Sequence, residues 1–159
     1  ELQRKRFSHL IKNCTNKNVI FSLANSSGSV ISNKYLFDMI RPGIGLYGGT
    51  NKNRLLMKKL KPTIKLSGKI IQIKSIGINE FIGYNQTYKT DKITKIAVIG
   101  IGYADGISRL LSNKGWVYYK KNKFNIIGRI SMDSFTIDIS NSKHNLKLGM
   151  FVDLINFPL

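Results

Sequence analysis

The sequence predicts an α/β segment followed by a mostly antiparallel β domain, and three observations carry that expectation. Residues 1 to about 49 run in the order helix, strand, helix, strand, as the tail of an α/β barrel or of an open α/β sheet would. From about residue 55 onward, runs rich in Ile, Val, Phe and Tyr succeed one another with only Gly, Asn, Ser and Asp between them. No helical stretch of comparable strength interrupts them. The expected domains are 1–49, a remnant of an α/β barrel or of an open α/β sheet, since two strands cannot close a barrel, and 50–159, a β domain that is a candidate small barrel.

Each element has its own warrant. Leu2, Phe7, Leu10 and Ile11 fall near helical spacing, and Asn13, Cys14 and Thr15 close that segment. "VIFSLANSSG" runs a short apolar strand into a small polar loop. "KYLFDMI" reads as a brief helix, and "RPGIGLYGG" as a return to extended chain. After "NKNRLLMKK" the strands are expected in "PTIKLSGKIIQIKSIGI", "KITKIAVIGIGY", "WVYYKKNKFNIIGRIS", "SFTIDIS" and "GMFVDLINF".

Bulk composition bounds the function. An apolar fraction of 42% over 159 residues suits a folded chain with its own core. The 26 Lys and Arg against 8 Asp and Glu give a net charge of +18. That is the footprint of a polyanion binder, but these lysines are spread from Lys5 to Lys147 among many Asn and Ile, so compositional bias explains them as well. Cys14 is the only cysteine, and His9 and His144 have no ligand spacing, so neither a disulfide nor a metal centre is expected. No apolar run approaches membrane-spanning length and "ELQRKRFSHL" lacks a signal-peptide core, so the chain is read as cytoplasmic and free of membrane.

Four loops hold the candidate chemistry. In "ANSSG", Asn25 and Ser26 come after a strand and precede a helix, where free N–H groups and hydroxyls hold an anion, or simply cap the helix. "IRPGIGLYGG" offers Arg41, with its fixed donor fork, beside Gly43 and Ile44 in a backbone that can approach a ligand, or it is a plain Pro-Gly turn. "VIGIGYADGISR" ends an apolar strand by exposing Tyr103 on a glycine-flanked turn and then stops on an Arg. "GRISMDSFTIDIS" breaks its strand with Met132 and Asp133, at a bulge or hairpin end.

In this order and spacing, the four segments resemble the C-terminal half of alanine racemase, the pyridoxal-phosphate enzyme that interconverts L- and D-alanine. "ANSSG" is similar to the family's "ANSA", "IRPGIGLYGG" to "VRPGIALYG", "IGYADGISR" to "GYADGxxR", and "GRISMDSFTIDIS" to "GRxSMDxxxVD". The resemblance implies a cofactor phosphate held by Ser26 and the N–H groups of Gly43 and Ile44, with Asn25 supporting the loop. It implies that Arg41 donates to the pyridine nitrogen and that Tyr103 is the acid/base on the L face, reaching the partner's site in a head-to-tail homodimer. Met132, through its backbone, and Asp133 would help bind the substrate carboxylate. D-alanine supply for peptidoglycan precursors is the implied purpose.

The family's "AVVKANAYGHG"-like segment, which carries its cofactor lysine, has no counterpart among these residues. The sequence is therefore expected to be a piece, truncated at both ends and dependent on a separate N-terminal barrel fragment for activity. The alternatives are a basic β-barrel binding module that meets nucleic acid through non-specific charge, with Tyr118, Tyr119, Lys120 and Lys121 as its one aromatic and basic cluster, or a remnant of a split gene without function. Two departures stand out: Asn85 in "GYNQTY" replaces a glycine of "SYGxxY", and Met150 replaces a usual acidic residue.

Overall fold

The computed structural model describes residues 1–49 and 60–155. Thr50 with the segment "NKNRLLMKK", at the start of the expected second domain, and the last four residues lie outside these. The chain divides into two compact units, Glu1–Ile64 and Lys65–Pro158.

In the first unit, α1 (Leu2–Lys12) precedes β1 (Ser22–Asn25), α2 (Ser26–Ile31) and β2 (Met39–Arg41). The two strands pair in parallel, Ser22 opposite Met39 and Asn25 opposite Arg41, as an α/β segment requires. The Glu1 carboxylate accepts from Arg4 at 2.6 Å and from the Tyr35 hydroxyl at 3.0 Å, tying the start of α1 to a later turn. Arg4 first, then Tyr35, hold that carboxyl down at about 2.

The expected helix over "KYLFDMI" is corrected. The helix lies earlier, because the Asn25 side chain caps Gly28 N–H at 3.0 Å and so starts the turn within the expected loop. Beyond it the chain makes a single 3-10 turn, Asn33–Tyr35, and then reverses at Phe37, whose φ is 50. "RPGIGLYGG" is likewise extended only through Arg41, since Ile44–Tyr47 wind into a 3-10 turn.

The second unit is a closed barrel of six strands, all antiparallel, in the order β10-β3-β6-β9-β8-β7. These are β3 (Leu66–Ile76), β6 (Thr94–Ile99), β7 (Trp116–Tyr119), β8 (Asn122–Ile127), β9 (Phe135–Asp138) and β10 (Phe151–Ile155). A small hairpin of β4 (Phe81–Ile82) and β5 (Tyr88–Lys89) lies between β3 and β6 in the chain. Every expected β run supplies a strand, because alternation puts one side chain in two inside. Phe135 and Ile137 of β9 are buried while Thr136 and Asp138 are less so. Ile70, Ile99, Val117, Ile126, Ile137 and Val152 meet in the interior, each worth about 1.5–3 kcal/mol when fully buried.

Both departures have a structural account. Asn85 sits at φ 58, ψ 19, the left-handed region that Asn tolerates better than most side chains when glycine is absent. Met150 packs on the barrel core, where an acid would lose its hydration.

Candidate functional site

The expected residues fall into two groups, one in each unit. In the first, β1 ends on Asn25 and leads directly into α2, so Ser26 is buried at the strand's carboxyl end. Its hydroxyl accepts from the Gly43 N–H at 2.7 Å and from the Gly45 N–H at 3.0 Å. Those bonds use both oxygen lone pairs, so the hydroxyl's remaining capacity is its proton, a donor. Gly43 therefore reaches an outside anion only by giving up its bond to Ser26. Ile44 opens the 3-10 turn, a position whose N–H a helix leaves without an internal partner. Gly45, not among the expected phosphate contacts, belongs to the cradle: a Cβ there would stand 3.0 Å from that of Ser26.

Arg41 is turned toward its neighbouring strand. Its Nη1 donates to the Ser22 carbonyl at 2.9 Å and to the Ser22 hydroxyl. Both N–H groups of Nη1 are thereby used, which leaves the donors on Nη2 and Nε for a ligand. Asn25 and Arg41 share an open cavity of about 440 Å³ with Leu23 and with Arg6, Phe7 and Leu10 of α1.

In the second unit the fold joins two motifs that are far apart in the chain. β6 runs out into Gly102, and the next two residues bond to the Ser131–Met132 turn that precedes β9. Tyr103 N–H donates to the Ser131 carbonyl at 3.0 Å and Ala104 N–H to the Met132 carbonyl at 2.9 Å. The turn itself is closed by the Asp105 carboxylate, which accepts from the Gly102 N–H at 2.9 Å, and by Gly106 at φ 92. Tyr103 is 38% and Met132 53% exposed, and Asp133 lies exposed beside them. The arrangement presents a phenol from a rigid strand end, the form a proton-transferring group needs.

Sequence reasoning did not assign the Arg that closes "GYADGISR". The structure lays the guanidinium of Arg109 against the ring of Tyr103, 5.3 Å from its centroid. Nor did it find Arg129, which with Gly83, Tyr84, Ser131, Ser134 and Thr136 lines a depression of about 370 Å³ beside the same turn. The motif positions were the available signal.

The aromatic and basic cluster has a more local explanation. Lys120, in the turn after β7, lies 5.7 Å from the Tyr119 ring, and Lys123 of β8 lies 3.8 Å from the Trp116 ring of β7, so these lysines rest on the aromatics of their own hairpin. Among the described residues no helix is long and apolar enough to cross a membrane.

Comparison with known proteins bears on the whole chain. The family "Alanine racemase, N-terminal domain" matches residues 1–51 and "Alanine racemase, C-terminal domain" matches residues 63–158. The alanine racemase of Brucella ovis is 38% identical over 147 residues, covering 84% of this chain and 37% of that protein. That of Francisella philomiragia is 33% identical over 158 residues, covering 97% of this chain and 43% of its own. The crystal structure of alanine racemase from Bartonella henselae with covalently bound pyridoxal phosphate matches with a TM-score of 0.81 and 34% identity, over 97% of this chain and 42% of that one. The biosynthetic alanine racemase of Pseudomonas aeruginosa matches with a TM-score of 0.79 and 28% identity, over 96% and 42%. The chain thus spans about two fifths of these relatives. With both domain families matched in order, and the Tyr103 and Met132 turns bonded to each other in the second, this chain belongs to the alanine racemase family.

Proposed function

We propose that this chain supplies the C-terminal part of a pyridoxal-phosphate-dependent alanine racemase that interconverts L- and D-alanine in the cytoplasm, feeding peptidoglycan precursor synthesis. The observation that carries the reading is the Tyr103 turn bonded to Ser131 and Met132, a phenol held at a strand end with its backbone fixed.

The phosphate end of the cofactor suits the residues present. A buried hydroxyl with a donor proton, flanked by glycine N–H groups and lacking room for a Cβ at Gly45, is an anion cradle. Ser26, Gly43 and Ile44 would hold the phosphate, Asn25 fixes the loop by capping Gly28, and Arg41 would meet the pyridine nitrogen with its free donors. When bound, the cofactor acts as an electron sink that acidifies the substrate's α-C–H.

The chain's own part is the proton. The Tyr103 hydroxyl takes it from, or returns it to, the L face, and the bonds of Tyr103 N–H to Ser131 and of Ala104 N–H to Met132 fix the main chain from which the phenol extends. Met132 and Asp133, on the adjoining turn, would orient the substrate carboxylate. The second base and the covalent anchor of the cofactor would come from the barrel portion that these 159 residues do not include. In a head-to-tail homodimer Tyr103 would serve the partner's site, and a separate N-terminal fragment would complete each barrel.

The test is reconstitution. The chain is co-expressed with the N-terminal remainder of the Brucella ovis relative, and the complex is assayed for cofactor uptake and alanine racemisation. Racemisation that neither piece shows alone is expected. A stable complex that takes up cofactor but leaves L-alanine unchanged would overturn the reading.

A further inference from the structure

Arg109 closes the motif that presents Tyr103, yet neither the fold nor the chemistry above has given it a task. Its main chain and that of Tyr103 hang from one frame. The Arg109 carbonyl accepts from the Ser112 hydroxyl at 2.7 Å, and that oxygen in turn accepts from the Ile130 N–H at 3.1 Å. One residue further along, the Ser131 carbonyl accepts from Tyr103 N–H at 3.0 Å. Between the two, Ile107 is buried and pins the segment to the barrel core. Ser108 caps the short turn that begins at Arg109, its hydroxyl accepting from Leu110 N–H at 3.3 Å.

With both main chains tied to one frame, the Arg109 side chain has only a short reach to cover, and its guanidinium stands 5.3 Å from the Tyr103 ring centroid. The nearest acid in the sequence does not draw the cation away. The Asp105 carboxylate accepts the Gly102 N–H instead, and among the described residues Arg109 makes no ion pair. The ring face is therefore what Arg109 engages, and its planar, permanently charged fork stacks there as an ammonium would not.

We propose that Arg109 is a positioning residue for Tyr103, holding the phenol in one orientation from the face of its ring while Ser131 and Met132 hold its backbone. The proposal rests on Tyr103 being the proton-transferring group. It accounts for the distance between them and for the tie of both residues to the Ile130–Met132 segment.

The test uses the full chain with tyrosine labelled by ¹³C at the ring ε carbons, the Tyr103 resonance being assigned from Tyr103→Phe. Arg109→Ala is expected to shift that resonance toward the position of a free tyrosine while the other six stay in place, and Arg109→Lys to restore part of the shift. In the reconstituted complex, Arg109→Ala should lower kcat about tenfold or more with KM within about twofold, because misplacing a reacting group slows chemistry without weakening binding. An unmoved Tyr103 resonance in Arg109→Ala, or an unchanged kcat, overturns the proposal. A complex of unsubstituted chains that does not racemise overturns the functional reading alone, and the tyrosine resonance then decides the contact by itself.

Discussion

Gly102 lies against the carbonyl oxygens of Ser131 and Met132 with less space than one added carbon would need. The neighbours are main chain, held in turn by Tyr103 and Ala104, so they cannot swing away as a flexible side chain would. Gly102→Ala should therefore destabilise the second unit by about 1–3 kcal/mol, as overpacking does. Urea unfolding checks this: a lower midpoint with unchanged slope is expected. A midpoint equal to that of the unsubstituted chain would mean that the two turns separate without cost.

Tyr103→Phe keeps the ring and its stacking but removes the hydroxyl. In the reconstituted complex, racemisation should fall by about 10²–10⁴-fold, the usual contribution of a general acid or base. Cofactor uptake should be retained. Loss of uptake together with rate would assign Tyr103 a part in assembly instead.

Ser26→Ala removes the acceptor of two N–H groups and the one hydroxyl proton left for an anion. The cofactor affinity of the complex should drop by about tenfold or more, since losing one hydrogen bond to a charged group costs about 1.5–3 kcal/mol. A titration monitored by cofactor absorbance measures it. Unchanged affinity would leave Ser26 as a loop-holding residue only.

The Tyr88 hydroxyl is pushed above its ordinary range, first by burial and then by the carboxylates of Asp138 and Asp91. A phenol that holds its proton more tightly in the folded chain contributes stability that is intact below the unfolded value of about 10 and is lost as pH rises through the higher folded value. Relative to Tyr88→Phe, the unsubstituted chain should therefore lose urea resistance only above about pH 10. Parallel curves from about pH 8 to 11 would show that the environment of Tyr88 does not reach its stability.

The site was partly legible and partly not. Glycines bracketing Tyr103 and the Ser-Met-Asp break before β9 mark places where a strand gives up its alternation, which sequence records directly. The task of Ser26 was half visible. Its place after a strand suggested an anion loop, but the two N–H groups it accepts come from Gly43 and Gly45, and spacing does not say which donors a hydroxyl will meet. The misplaced helix has the same cause. "KYLFDMI" reads as a brief helix on its own, whereas the Asn25 cap and the pairing of Met39–Arg41 with β1 decided the outcome.

The sequence by itself determined the β character of the second unit, the α/β character of the first and the membership that four ordered motifs express. Alternation and turn chemistry are local, and each residue carries them wherever the chain goes. Only the tertiary structure decided that β3 closes the barrel between β10 and β6, that Met132 lies on the Tyr103 turn and that Arg109 covers the Tyr103 ring. Those relationships depend on backbone hydrogen bonds and on the register between distant strands. They form because burying Ile99, Ile137 and Val152 together leaves each backbone edge one partner that satisfies it, a condition set by the whole core and by no single segment.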